Sequence, residues 1–218
     1  MTEDDMIIVL GDAGINYFPP YSQQWHMTMK PLKRMKPTLF CVHGNHEERA
    51  ENVIDSYGDI PHRFYRETIR YGGAAYVNDS YPNLVFAKSG EVYYIAGNEC
   101  LVIGGAYSVD KHWRLQNGQR WFASEQLTEE ERGEISEKAR KLGVVDVVLS
   151  HTCPFKYQPT EWFLDGIDQS LVDTSMELWL DDIEESLDYE RWYCGHFHGE
   201  KKIDKMRFMF QSVEKFMG

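Results

Sequence analysis

Side chains that can bind a metal ion or transfer a proton follow four short apolar runs of this sequence. The runs are partly β-branched and resemble buried strands, and ligands bind at strand ends in open α/β sheets. Each run is therefore predicted to deliver polar groups to one edge of a sheet. The polar stretches are Gly11-Asp12, Gly44-Asn45-His46-Glu47, Ser150-His151 and Gly195-His196-Phe197-His198.

The residue types in these stretches favour a transition-metal site. They provide oxygen and nitrogen ligands of the kind that hold manganese, iron or zinc without a thiolate: Asp12, Asn45, His151, His196 and His198. One Asn-His pair after a strand is ordinarily a turn with satisfied polar groups. Four such stretches in one chain indicate a shared site.

In this order, the stretches resemble the blocks of the calcineurin-like metallophosphoesterase superfamily. Those blocks are Asp-x-His, Gly-Asp, Gly-Asn-His-(Asp/Glu), a lone His and Gly-His-x-His, and the last four occur here in family order across nearly the whole chain. The resemblance implies an α/β fold. More specifically, the resemblance implies a four-layer α/β/β/α sandwich of two mixed sheets, with a metal site at strand ends.

The first block of the resemblance is absent from this chain. Only Met1 to Asp5 precede the strand that begins at Met6, and the first histidine is His26. We therefore predict one domain over residues 1–218 that lacks its first strand, with an exposed sheet edge or core gap that favours self-association. The family also often has a second acid three residues after the Gly-Asp aspartate, where this chain has Ile15.

The resemblance also implies roles for the site residues. Two divalent metals (Mn, Fe, Zn or Ni) would be bound, the first by Asp12, Asn45, His151 and His196. The second metal would be bound by Asp12, His198 and residues of the missing block, so we expect its binding to be weak. His46 would be catalytic and donate a proton to the leaving oxygen, while a metal-activated hydroxide hydrolyses a phosphodiester or phosphomonoester.

A different class of function remains open from the sequence. Because half of one metal shell is missing, the chain could be a weak or inactive module of the same fold that binds a phosphorylated ligand or a protein partner. The histidines also have structural interpretations. His46 could be a buried turn residue, and His196 and His198 an exposed pair without metal. Arg114 is either an ordinary surface residue or a phosphate ligand, so substrate-binding residues are unknown.

Composition limits the class of partner. The chain has 218 residues, 42% of them apolar, which suffices for one substantial core. Its formal net charge of −12 argues against non-specific nucleic-acid binding and favours a small phosphorylated substrate at a cationic centre. With no apolar run long enough to span a bilayer and no C-x-x-C spacing, we expect no membrane partner, a cytoplasmic location and reduced, buried cysteines.

Periodicity and turn residues predict the remaining elements. A capping box at Thr128 begins a helix that ends at Gly143, and residues 152–167 form a long ordered loop that could act as a lid. The apolar segments between residues 73 and 103 are expected to form one β meander, with a hairpin turn at Gly97-Asn98. The other predicted helices are Tyr21–Arg34, Glu48–Tyr57 and Ser170–Leu187.

Overall fold

The computed structural model describes residues 1–55 and 62–217, and thirteen strands and four α-helices lie in these ranges. The strands are β1 (Met6–Val9), β2 (Thr38–Cys41), β3 (Ile54–Asp55), β4 (His62–Arg63), β5 (Arg66–Arg70), β6 (Gly73–Asn78), β7 (Tyr81–Ala87), β8 (Val92–Ile95), β9 (Asn98–Ile103), β10 (Val147–Ser150), β11 (Arg191–Cys194), β12 (Lys201–Ile203) and β13 (Met206–Phe208). The helices are α1 (Gln23–Leu32), α2 (Lys111–Gln116), α3 (Glu129–Leu142) and α4 (Ser175–Ser186).

Two mixed sheets contain most of these strands. The first has the order β1-β2-β7-β6-β5, in which β1, β2 and β7 are parallel, and the second has the order β12-β13-β11-β10-β9-β8, in which β13, β11, β10 and β9 are parallel. The short pair β3 and β4 stands apart as a two-stranded sheet. Parallel strands present their carboxyl ends at one edge, so each large sheet has several loops at that edge.

Alternation along the strands divides the apolar side chains into layers. In β2, Phe40 faces the second sheet, whereas Leu39 and Cys41 face α1, where Trp25 is buried. The helices α3 and α4 cover the outer face of the second sheet, and Leu180 packs there. The result is the predicted four-layer α/β/β/α sandwich.

Local sequence signals position the helices. The capping box of α3 is present, because the Thr128 hydroxyl accepts the Glu131 N–H while the Glu131 carboxylate accepts the Thr128 N–H, and the helix ends at Gly143 as predicted. In α1, the Ser22 side chain accepts the Trp25 N–H at 3.2 Å. Both α1 and α4 lie inside their predicted ranges but are shorter.

Three predictions of local structure need correction. The helix predicted over Glu48–Tyr57 is a single 3-10 turn at Ala50–Asn52 followed by β3, and its residues 56–57 lie outside the described part of the chain. The predicted meander is divided, since β6 and β7 join the first sheet while β8 and β9 join the second. The hairpin turn of β8 and β9 is at Ala96-Gly97, because Ile95 pairs with Asn98.

The strand β1 is the end strand of its sheet within the described residues. A groove of about 840 Å³ runs along it, with β1 on one side and residues 209–216 of the C-terminal segment on another, and it reaches Asp12 and His198. No helix in residues 1–55 and 62–217 is long and apolar enough to cross a membrane.

Candidate metal centre

Strand ends from both sheets meet at one place. Asp12 follows β1 and Asn45 follows β2, whereas His151 and His196 follow the adjacent parallel strands β10 and β11 of the second sheet. The loops are connected by the backbone: the Gly195 N–H donates to the His151 carbonyl at 2.9 Å. The four residues predicted for one metal shell are therefore brought together.

Asp12 joins the two sheets at this site. Its Oδ1 accepts the backbone N–H of His46 at 2.9 Å, and its Oδ2 lies 3.5 Å from Nε2 of His151. Burial raises the pKa of Asp12, but the charge and hydrogen bond of His151 and the His46 N–H lower it more, so the net pKa is far below the ordinary value. Asp12 is therefore a carboxylate, the form that binds a metal.

Two glycines make this close approach sterically feasible. A Cβ atom on Gly44 would lie 2.1 Å from Asp12 Oδ1, and one on Gly11 would lie 2.0 Å from the Nδ1 atom of His151. Gly11 also has a φ of 90°, which L side chains rarely adopt. Any side chain at either position would separate the carboxylate from its partners.

Asn45 is the residue around which the histidines are arranged. Its Oδ1 lies 2.8 Å from Nε2 of His151 and 3.1 Å from Nδ1 of His196, and its Nδ2 donates to Oγ of Ser108 at 2.8 Å. Asn45 is 2% exposed and His151 is 1% exposed. Water cannot easily substitute for a missing contact in such a buried cluster.

The proton on His151 can be assigned from its neighbours. Its Nδ1 lies 2.7 Å from the Leu10 carbonyl, which only accepts, so Nδ1 carries the hydrogen. In the neutral ring, Nε2 then presents a lone pair to two further acceptors, Asn45 Oδ1 and Asp12 Oδ2. Three lone pairs that converge in a buried site repel one another unless a positive charge lies between them.

Either a proton or a metal ion can supply that charge. Burial lowers the pKa of His151, but Asp12 and the Leu10 carbonyl raise it more, and the net pKa is above the ordinary value. Donor atoms that share one transition-metal ion at about 2.1 Å lie roughly 3.0 to 3.4 Å apart. The separations of 2.8, 3.1 and 3.5 Å observed here are close to that range, so the donor set fits a divalent metal.

The site depends on the amide oxygen as well as on acids and imidazoles. Counting His, Cys, Asp and Glu alone, residues 1–55 and 62–217 contain no group of three that could hold an ion. Asn45, which is not one of these residue types, has its Oδ1 within 3.1 Å of ring nitrogens of both His151 and His196.

The backbone of the ligand loops is strained. Asp12, His196 and His198 have φ angles of 53°, 65° and 52°, in the left-handed region that non-glycine residues rarely occupy. Such residues cost about 1 to 3 kcal/mol each and cluster at functional sites. His196 is packed against His151 with ring centroids 5.1 Å apart, and burial lowers its pKa to about 3, so its ring is neutral and able to coordinate.

His198 differs from the other predicted ligands. Its side chain is exposed, and its ring stacks on Phe210 with centroids 4.9 Å apart. It lies near enough to His196 to lower the pKa of that ring. His198 is therefore beside the convergent set but outside its hydrogen-bond network.

His46 is partly exposed and lies beside Asp12, which accepts its backbone N–H. Burial lowers its pKa, Asp12 raises it, and Arg114 lowers it again, with the net pKa below the ordinary value. Arg114 donates from Nε to Asp110 Oδ2 at 2.8 Å, so α2 carries a cation close to His46. Ile15, at the position where the family often has an acid, is 3% exposed and part of the apolar core.

Glu47 fastens the loop that carries Asp12. Its two carboxylate oxygens accept the N–H groups of Ala13 at 3.0 Å and Asn16 at 3.2 Å, and burial raises its pKa to about 7 despite these bonds. The sequence motif includes Glu47 but indicates no role for it. The Nε2 atom of the neighbouring His43 lies 3.3 Å from the Ser124 carbonyl.

Two further buried residues in this region belong to none of the sequence motifs. Ser108 and Glu125 are both buried, at 1% and 2% exposure. Burial raises the pKa of Glu125, and the nearby polar groups of Ser108 partly offset that rise. Neither residue is adjacent in sequence to a ligand-bearing strand end, so no local pattern could have identified them.

The two mixed sheets form an α/β sandwich, and oxygen and nitrogen donor atoms lie at its parallel strand ends. Comparison with protein families matches residues 2–200 to the calcineurin-like phosphoesterase family. The chain belongs to that family. A search of curated proteins finds no match.

Proposed function

We propose that this chain hydrolyses a small phosphodiester or phosphomonoester at a divalent transition-metal centre held by Asp12, Asn45, His151 and His196. The observation that carries this proposal is the convergence of lone pairs from Asp12, Asn45 and His151 in a buried site. Family membership supports the reaction type. A divalent cation at this position supplies positive charge for the phosphoryl oxygens and lowers the pKa of water towards neutrality.

The protein residues would position groups, transfer a proton and contact the phosphate. Asp12 accepts the backbone N–H of His46, which holds His46 next to the proposed centre. From there, His46 can hold a proton for the leaving oxygen of the ester. Arg114, positioned by Asp110, can meet a non-reacting phosphoryl oxygen with a guanidinium group.

Charge supports a small substrate. The net charge of −12 disfavours a long polyanion, whereas a single phosphoryl group would contact mainly the cationic centre and Arg114. All four cysteines are free and buried, which supports a location in the reducing cytoplasm.

The test combines metal content with hydrolysis. Elemental analysis of the purified protein and hydrolysis of a chromogenic phosphodiester and monoester should show at least one bound transition metal and metal-dependent turnover. Removal of the metal by a chelator should lower the melting temperature, because an ion that binds only the native state stabilises it.

The outcomes distinguish the two classes of function. Metal bound without hydrolysis of either ester would favour a binding module that recognises a phosphorylated ligand or partner. A metal-free protein whose melting curve is unchanged by manganese, iron or zinc would contradict the proposed centre. The control is His26→Ala, which removes an exposed histidine outside the site and should leave metal content unchanged.

A further inference from the structure

The backbone that carries His196 and His198 is strained and needs support from its surroundings. The Phe197 N–H donates to the Gly195 carbonyl at 2.8 Å, which closes a three-residue turn with His196 at its centre. His196 has a φ of 65°, and a turn of this kind with a positive central φ is rare and strained. His198 has a φ of 52°, also in the left-handed region. Other contacts must therefore hold this ligand turn, residues 195–199, in place.

The ligand turn has the metal centre on one side and an aromatic cluster on the other. Towards the centre, Nδ1 of His196 lies 3.1 Å from Oδ1 of Asn45. The next side chain, Phe197, contacts the aromatic cluster. Its ring centroid lies 6.0 Å from that of Phe208 and 6.5 Å from that of Phe163, whose ring is nearly parallel to it. Because His196 and Phe197 are adjacent on one turn, contacts that fix Phe197 also fix the direction of the His196 imidazole.

Trp162 packs directly against the backbone of the ligand turn. A Cβ atom on Gly199 would lie 2.6 to 2.7 Å from three atoms of the six-membered ring of Trp162, so this glycine lies against the indole where a side chain would clash. Trp162 also meets Phe208 edge to face, with ring centroids 5.9 Å apart. The turn is therefore held at Phe197 and at Gly199, on either side of His198.

The segment that carries this tryptophan starts directly after His151 and is the long ordered loop expected from the sequence. It is anchored on α4, since Nζ of Lys156 donates to Oε2 of Glu184 at 2.6 Å. It then reaches the end of the ligand turn, where Glu161 forms an ion pair with Lys201. One segment thus connects the two loops that carry the histidine ligands.

We infer that Trp162 and Phe163 are positioning residues that hold the ligand turn in the conformation that presents His196 to the metal, a role that rests on the proposed metal centre. Tryptophan and phenylalanine offer no lone pair to a metal ion, so both residues act through the turn. Without them, the turn relaxes towards ordinary backbone angles, and the His196 ring moves away from Asn45 and His151.

The test is metal affinity in variants that remove these contacts. Trp162→Ala and Phe163→Ala should each weaken Zn²⁺ or Co²⁺ binding, titrated calorimetrically, by about 10 to 100-fold, the usual scale for groups that orient metal ligands. Trp162→Phe keeps an aromatic ring near Gly199 and should recover part of the affinity. The visible absorption spectrum of the Co²⁺ protein, which reports the number and geometry of its ligands, should change in both alanine variants and return towards that of the wild type in Trp162→Phe.

A double variant tests the contact between the turn and the indole. Gly199→Ala places a methyl group against the Trp162 ring, so it should displace the turn and weaken metal binding. In the Trp162→Ala background the methyl group has room, so the same change should cost much less affinity there. Losses that simply multiply in the double variant would show that the two residues act independently, which contradicts the inference.

Trp179→Ala is the matched control. Trp179 is also partly buried and packs against the same apolar core as Trp162, but its Nε1 donates to Oγ of Ser136 on α3 at 2.8 Å. Both tryptophan variants should lower the melting temperature of the metal-free protein. Only Trp162→Ala should change the metal affinity and the Co²⁺ spectrum.

The outcomes separate the positioning role from the centre on which it rests. A wild type that binds no metal contradicts the centre, and the positioning role with it. Equal metal binding by the wild type, Trp162→Ala and Phe163→Ala contradicts the positioning role alone, and so does an equal loss of affinity in Trp179→Ala. If Trp162→Ala does not fold, Phe163→Ala decides, since the Phe163 side chain is partly exposed.

Discussion

The two sides of the site differ in how many contacts hold their side chains in place. On the buried side, Asn45, His151 and His196 contact one another, and Asn45 and His151 have further partners behind them. On the open side, His198 is exposed, stacks on Phe210, and borders the groove along β1. The buried side is therefore preorganised, whereas the exposed His198 ring has no hydrogen-bond partner in the site that fixes it for binding.

This difference predicts which side of the site determines metal affinity and which determines turnover. Ligands held in place by other contacts lose little conformational freedom on binding, so the buried side should determine tight metal binding. The open side, where His46 and His198 are partly or fully exposed, should determine turnover and the binding of any further ion. Variants on the two sides should therefore fail in different ways.

The largest effect is expected from a buried ligand. His151→Ala should remove the tight metal and nearly all hydrolysis, with an affinity loss above the roughly 100-fold limit typical of supporting residues. His198→Ala should leave the tight ion bound. Metal content after dialysis measures both, and equal losses in the two variants would contradict the distinction between the two sides.

A smaller effect, confined to turnover, is expected from His46. His46→Asn should lower kcat by roughly 10² or more, the usual scale of proton transfer by a side chain, while metal occupancy stays near that of the wild type. Steady-state kinetics and elemental analysis on the same preparation test this. A loss of metal as large as in His151→Ala would show that His46 is a ligand and not a proton donor.

A second ion should bind weakly. The ligands expected for it include the shared Asp12 and His198, whose exposed ring lies outside the hydrogen-bond network of the buried side. Titration with Mn²⁺ should show about one tight ion per chain, followed by a much weaker event that His198→Ala abolishes. Two equally tight ions per chain would mean that another residue completes the open side.

Much of the fold, and the place of each candidate ligand in it, could be predicted because both depend on local sequence patterns. Short β-branched runs mark the strands, and each ligand stands directly after its strand, as His151 does after β10. The capping box at Thr128 is equally local. Such signals need only a few neighbouring residues to be recognised.

The features that were not predicted from the sequence share a different cause. Contacts with residues distant in sequence override the local pattern. The helix predicted to begin at Glu48 is replaced because Arg49 is buried, where it donates to the Ser124 and Gln126 carbonyls and to the Glu131 carboxylate. Those partners are about 80 residues away, and they hold the segment in an irregular path. The hydrogen bond from Asn45 to Ser108 could not be predicted for the same reason, because 63 residues separate the two in sequence.

The smallest predicted effect concerns the support of the buried side and appears as a dependence of stability on pH. Glu177 on α4 accepts the Thr152 hydroxyl at 2.7 Å, next to His151, while its other oxygen is buried without a partner among the described residues. Burial raises the pKa of Glu177 from 4.5 to about 7; the Thr152 hydroxyl and the charge of His151 lower it, and the charge of Asp173 raises it.

Because the folded-state pKa is the higher one, this carboxyl contributes stability below pH 4.5 and loses that contribution as the pH rises through about 7. Glu177→Gln removes the titration, so the free energy of unfolding of the wild type should fall relative to the variant between pH 5 and pH 8. The pKa difference sets an upper limit of roughly 3 kcal/mol, and the uncharged amide leaves its own NH₂ group buried, so the observed difference should be smaller. Urea unfolding of both proteins in a chelator, at several pH values, measures it, and parallel stability curves would show that Glu177 is already ionised without cost.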